Sequence, residues 1–373
     1  MKRLFLIAMI LIIALTVTAG LFANGQKDSG SASGVKKLSV GIILPTKDEP
    51  RWLQDEARFR AALEKAGYSV EILFSQGDSA RERANVEALV SKGITVLIMT
   101  PQDGAAAAAA AEYAKNAGVK VISYDRLITN TKAVDYYVTF DSFSVGKAFG
   151  QYLVDNAKGK GNNLYLYAGA ASDNNAFIFF DGAWNVLQPK IADGTFVIKN
   201  SSEAVALSGK KELSRVELGK IIGQVSTNWD FNFAKNLAEA NLTTASAADK
   251  GVCYIAAPND GTARAIADTF AADGDVSKYY ITGQDAEKAS VQYIIDGKQS
   301  MTVFKDVRSL VDDAISAAVT FLQGKTPVAT GSYPNGEKDV PAMQTKVITV
   351  TSDNVKSVLI DSGYYSASDF TGL

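Results

Sequence analysis

A β-branched run at 119–123 ends abruptly on the polar pair Asp125-Arg126, flanked by Tyr124 and Leu127. In an open α/β sheet, ligands sit in the crevice beyond the carboxyl ends of the strands. A carboxylate acceptor beside a forked guanidinium donor suits the hydroxyls of a polyol, each of which both donates and accepts. An isolated Asp-Arg is more often a surface ion pair, so the pair carries weight only if other strand ends match it. Several do. The first apolar run leads to Arg51-Trp52, the run at 164–168 to Asp173-Asn174-Asn175 with Phe177, and the run at 252–256 to Asn259-Asp260. The runs near 279 and 301 lead to Gln284-Asp285 and to Phe304-Lys305, and Trp229 follows a polar stretch. Each cluster alone reads as a helix cap or a turn, and Asp173 is a good N-cap. Together they offer bidentate polar groups to fix hydroxyls and aromatic faces to cover the apolar side of a pyranose ring.

Other chemistry is excluded. The chain has no histidine and a single cysteine, Cys253, so zinc sites, Cys-His nucleophiles and a Ser-His-Asp triad have no residues to build them. There is no phosphate-binding loop motif either. Asp125 and Asp285 beside Arg126 and Lys305 stay ionised, which suits hydrogen bonding better than acid catalysis. The expected activity is therefore binding without turnover, with no cofactor or metal. Counting Arg51, Arg126 and Lys305 against Asp125 and Asp285 leaves a surplus of one positive charge. That surplus predicts tolerance of an acidic sugar such as a hexuronate, unless Asp173, Asp260 or Asp306, each next to a site motif, neutralises it and leaves a site for uncharged sugars only.

The elements that must position these groups alternate. Strands are predicted at 38–44, 70–74, 96–99, 119–123 and 136–140, separated by helices at 51–66, 81–92 and 104–117. In the first helix, Phe59, Ala62, Leu63 and Ala66 fall on one face. A second set follows: helices at 144–157, 176–187, 262–272, 286–295 and 308–322, and strands at 164–168, 196–199, 252–256, 279–282 and 301–304. The polar stretch 201–228 reads as an insertion loop. From 339 onward the pattern predicts a strand pair and a short helix. Alternation of this kind implies parallel sheets with right-handed crossovers and helices on both faces.

At 373 residues the chain has room for two domains, and 47% hydrophobic with 21% charged residues is ordinary globular composition. Lys2-Arg3 precede an uncharged apolar run to Ala23, the order of a secretory signal, and 24–35 is a Gly/Ser tether. Loss of residues 1–23 removes two basic residues and moves the formal charge from −2 to −4. A mildly acidic, exported chain is a poor partner for nucleic acid.

The motifs Glu-Pro-Arg-Trp (49–52), Tyr-Asp-Arg-Leu-Ile (124–128), Thr-Phe-Asp (139–141), Asp-Asn-Asn-Ala (173–176), Gly-Gln-Asp-Ala (283–286) and Val-Phe-Lys-Asp (303–306) resemble, in this order, the periplasmic sugar-binding proteins of bacterial ABC importers. The xylose-binding and multiple-monosaccharide-binding types are the nearest in pattern, and the resemblance runs from about residue 38 to the Gly-Tyr-Tyr tail at 363–365. It implies the two-lobed periplasmic-binding fold of type I, with a parallel sheet in each lobe and three crossovers between lobes. The lobes it implies are 36–140 plus 306–330, and 141–305 plus 331–373. It also implies sugar contacts from Arg51, Trp52, Asp125, Arg126, Asn175, Trp229, Asn259, Asp285 and Lys305. The implied ligand is an aldose such as xylose, glucose, galactose or arabinose, delivered by a periplasmic monomer to an inner-membrane permease. Presentation of the bound sugar to a chemoreceptor or sensor kinase is an alternative role within the same resemblance. A sugar-responsive transcription regulator shares this core fold, but residues 1–34 offer an apolar run and a tether where such a protein needs a DNA-binding helix pair.

Overall fold

Parallel strands buried on both faces read as continuous apolar runs, and two such sheets organise the computed structural model, which describes residues 38–373. The expected signal at 1–23 and tether at 24–35 lie outside the described residues. The first lobe is built from β1 (Leu38–Leu44), α1 (Pro50–Lys65), β2 (Ser69–Phe74), α2 (Ser79–Ser91), β3 (Val96–Met99), α3 (Ala108–Asn116), β4 (Lys120–Tyr124) and β5 (Tyr136–Phe140). Every residue of β3 and of β5 is buried. The second lobe contains α4 (Ser142–Asn156), β6 (Asn162–Leu166), α5 (Asn174–Ala192), β7 (Phe196–Ile198), α6 (Ser202–Ala206), α7 (Arg215–Val225) and α8 (Phe231–Thr244). It continues with β8 (Gly251–Ala256), α9 (Asp260–Ala272), β9 (Val276–Ile281), α10 (Lys288–Ile295) and β10 (Thr302–Phe304). The chain then returns through α11 (Val307–Leu322), whose Leu310, Val311, Ala314 and Phe321 pack into the first lobe's core with Val40, Ile98 and Val138.

Strand order in the first sheet is β2-β1-β3-β4-β5, extended by β12 (Asp339–Thr345) and β11 (Gly331–Pro334). The second sheet runs β7-β6-β8-β9, the same order restarted. In each, the chain reverses direction of growth beside its first strand, and that switch point opens a crevice at the carboxyl ends. A short antiparallel pair, β10 with β13 (Ile348–Val350), joins the second sheet through a bridge between Gln284 and Val303. The chain therefore passes between lobes after β5, after β10 and after β12.

The sheets are parallel as expected, apart from β11, which runs antiparallel to β12, and the added pair of β13 with β10. Two expectations are corrected. Residues 331–345 belong with the first lobe and not the second: β12 pairs in parallel with β5, from Ala342 opposite Tyr137 to Thr345 opposite Phe140. This gives β5 a partner on its outer side, and Val340 and Ala342 are fully buried there. The stretch 201–228 is not a loop. It holds α6 and α7, the latter opened by a capping box between Ser214 and Glu217. Leu218, Ile221, Ile222 and Val225 of α7 form a buried stripe at helical spacing. Among the described residues, no helix is long and apolar enough to cross a membrane.

One buried carboxylate in the first lobe makes stability depend on pH. Glu82 of α2 is almost wholly buried and accepts hydrogen bonds from the Gln102 backbone N–H (2.7 Å) and Ser75 Oγ (3.3 Å). Burial outweighs these bonds and pushes its pKa up to about 7. The folded chain therefore holds a proton that the unfolded chain has released above its ordinary pKa. The stabilising contribution is complete below about pH 4.5 and lost as pH rises through about 7. The wild-type melting temperature should fall between pH 5.5 and 8. Glu82→Gln should flatten that slope by on the order of 2 °C, and an unchanged slope in differential scanning calorimetry refutes the assignment.

Candidate functional site

The two switch-point crevices face each other, and one cavity between the lobes is lined by side chains from both. Arg51 and Trp52 come from the first turn of α1, just after β1, where Pro50 at the helix start costs no hydrogen bond. Asp125 and Arg126 follow β4. Asn175 sits in the first turn of α5, behind the N-cap Asp173, whose carboxylate accepts from the Asn175 N–H at 2.9 Å. Asn259 is the N-cap residue of α9, Asp285 follows β9, and Lys305 follows β10. Trp229 arrives by a longer route. The strand end Ala168 bonds with the backbones of Val225 and Thr227, so α7 is brought back to the sheet edge and releases the chain at Trp229. All nine residues expected from the sequence thus line a single cavity, together with Glu49, Asp173, Phe179 and Gln284.

Three of these residues are held in left-handed backbone conformations: Asp125 (φ 61°), Trp229 (φ 61°) and Asp285 (φ 97°). Such conformations cost about 1–3 kcal/mol each and persist only where the surroundings impose them. At Asp125 the cause is visible. Its carbonyl oxygen accepts from Tyr137 Oη (2.7 Å), Asn175 Nδ2 (2.9 Å) and Thr139 Oγ1 (3.2 Å), while its N–H donates to the Val138 carbonyl (2.8 Å). The turn aims the carboxylate back across the crevice. At Trp229 the indole lies flat against Gly169, where a Cβ would fall 2.0 Å from the ring. At Asp285 the N–H donates to the Val303 carbonyl (2.9 Å).

The charges form a chain across both lobes. Arg51 reaches Asp55 Oδ2 with Nε and Asp125 Oδ2 with Nη2, both at 2.8 Å, and lies 3.6 Å from Asp285 in the other lobe. Lys305 Nζ contacts Asp285 at 2.7 Å. Arg126 spans the lobes to Asp173 at 3.1 Å and also meets Glu49 at 3.4 Å. Burial alone raises the Asp125 carboxyl, but Arg51 and then Lys305 outweigh it, and it is held below the ordinary carboxylate range. Burial works against charge on Arg51, yet Asp55 and Asp125 hold it well above its usual value. Asp173 goes the other way, pushed up to about 6 by burial that Arg126 only partly offsets.

The expected surplus of positive charge is absent. Asp55, Asp173 and Glu49 add three carboxylates to the two counted from sequence, and each of the three cations already has a carboxylate within 3.1 Å. Asp55 was findable, since it lies one turn after Arg51 on the same helix face. Phe177, expected beside Asn175, instead lies under the Arg215 guanidinium, 3.2 Å from the ring centre. Phe179 takes the place in the cavity because it sits four residues after Asn175, on the same face of α5, whereas Phe177 is turned away.

The apolar walls are Trp52, Phe179 and Trp229. Trp52 is fully buried, with the Arg51 and Arg126 guanidinium carbons 4.8 and 5.2 Å from its ring centre. Trp229 Nε1 and Gln284 Oε1 are buried without a protein hydrogen-bond partner. The cavity thus presents fixed acceptors, fixed donors and flat aromatic faces within one closed volume, with no nucleophile-base pair among its lining residues.

A model of the periplasmic binding protein domain matches residues 40–326. The chain is 36% identical over 343 residues to the multiple sugar-binding periplasmic protein SbpA of Azospirillum brasilense, covering 90% of this chain and 91% of that one. It is 29% identical over 339 residues to the D-xylose-binding periplasmic protein of Escherichia coli, covering 91% and 94%. Among solved structures, a carbohydrate transporter solute-binding protein from Chloroflexus aurantiacus, in complex with D-glucose, is 76% identical. It superposes with a TM-score of 0.89 over 90% of this chain and 99% of the other.

Proposed function

The chain belongs to the periplasmic binding protein family, and from that premise we propose that it captures a neutral monosaccharide between its lobes and delivers it to the permease of a sugar ABC importer. The observation that carries this is the Arg51–Asp125–Asp285–Lys305 chain, whose members come from both lobes and meet in a cavity walled by Trp52 and Trp229. Each charged group has oriented hydrogen-bonding capacity toward the cavity, and its net charge is already met by a neighbour. Vicinal ring hydroxyls match such a set because each can donate to a carboxylate and accept from a guanidinium. Neither lobe alone supplies enough partners, so ligand and closure stabilise one another. The nine lining residues read from sequence are the proposed sugar contacts. Export by residues 1–23, a monomeric state and catalytic inactivity belong to the same reading.

The ligand class is a neutral aldopyranose. A hexuronate brings a carboxylate into a cavity whose three cations are already paired, beside Glu49, Asp125, Asp173 and Asp285. Isothermal titration of glucose, galactose, xylose, arabinose, glucuronate and galacturonate tests this. One or more neutral aldoses should bind with the uronates at least tenfold weaker than their parent hexoses, about 1.4 kcal/mol. Absence of binding by every aldose to folded protein overturns the reading.

A further inference from the structure

Of the three apolar walls of the cavity, two are held by close contacts. Trp52 packs on two guanidinium groups that are themselves ion-paired. Trp229 lies against the Gly169 backbone with no space for even one added carbon. Phe179 differs. It lines the sugar cavity on one side, and on the other it lines a second, apolar void bordered by Leu166, Ala168, Ala176, Ala183 and Ala256. The void measures about 20 Å³, room for roughly one water-sized group. Phe149, Phe180, Trp184 and Leu187 also line it, so the room for the ring to retreat is the void itself. The helix that carries Phe179 cannot follow, because α5 packs too closely on α4: a Cβ at Gly146 would lie 1.9 Å from the Phe179 carbonyl oxygen. Any accommodation therefore falls to the ring itself.

We infer that Phe179 is a yielding wall, backed by this void, that lets one site accept both pentopyranoses and hexopyranoses. The inference rests on the sugar-binding reading above and adds to it the residue that sets sugar size. The remaining lining groups are charged or amide side chains held by hydrogen bonds and ion pairs, which suit the ring hydroxyls common to both sugars. A hexose adds a hydroxymethyl group at C5, and the added volume goes where the wall gives. Interiors pack near crystal density, so without such a void the extra group costs overpacking strain.

Filling the void from behind, without touching the cavity, tests this. Ala256 ends β8 and lines only the void, and valine suits a strand. Ala256→Val should block the retreat, weakening D-glucose by about tenfold in titration calorimetry while D-xylose changes by less than about twofold. Phe179→Leu, which shortens the wall, should shift the ratio of the two affinities towards glucose, and should restore glucose binding when combined with Ala256→Val. Equal weakening of both sugars by Ala256→Val, or no effect on either, overturns the inference. If Ala256→Val does not fold, Phe179→Leu alone decides: an unchanged ratio overturns it. Wild-type protein that binds neither sugar overturns the sugar-binding reading itself, and this one with it.

Discussion

Asp125→Ala is expected to weaken sugar binding by about 2–5 kcal/mol, a loss of at least roughly 30-fold, while the chain still folds. Asp125 accepts from Arg51 at 2.8 Å in a buried setting, and its carboxyl is held charged by Arg51 and Lys305. Truncation removes a fixed acceptor for the ligand. It also leaves Arg51 with Asp55 and the more distant Asp285 inside a closed cavity, where partly unpaired charge is expensive. Asp125→Asn keeps the shape and one acceptor oxygen, so it should lose less. Calorimetric titration with circular dichroism as the folding control measures both. Near wild-type affinity in folded Asp125→Ala removes this residue from the site.

Gly169→Ala should weaken binding by at least tenfold through a residue that does not line the sugar cavity. The added methyl would sit 2.0 Å from the Trp229 ring, so the indole has to move. Trp229 lines the sugar cavity, so a shift of the ring changes that wall, and overpacking of this kind costs about 1–3 kcal/mol. Because Trp229 already has a left-handed backbone at φ 61°, following another left-handed residue at Asn228, the turn has little slack to absorb the shift. Tryptophan emission should change in the unliganded protein, and affinity for every aldose should fall together. Unaltered affinity would show that Trp229 does not form the wall described.

The order of elements and the positions of most polar strand ends were legible because their causes are local. A parallel strand buried on both faces is a β-branched run, and its carboxyl end must turn polar where the sheet opens to the crevice. Helix phase is equally local: it links Arg51 to Asp55, selects Phe179 over Phe177, and with the Ser214–Glu217 box it marks α7 inside a stretch whose polarity suggested a loop. Pairing across long sequence separations is not local. Nothing in 331–345 states that it extends the first sheet, since that depends on an edge of β5 that exists only once the sheet has formed. The charge balance of the cavity is decided the same way. Glu49 and Asp173 are ordinary cap-region acids in sequence; Glu49 becomes a counter-ion of Arg126 once the first lobe folds, and Asp173 only when the two lobes meet. Sequence by itself determined which chemistry the chain carries and at which strand ends. The tertiary structure alone decided how those charges neutralise one another and which wall of the cavity has space behind it, because both are sums over neighbours that only folding brings together.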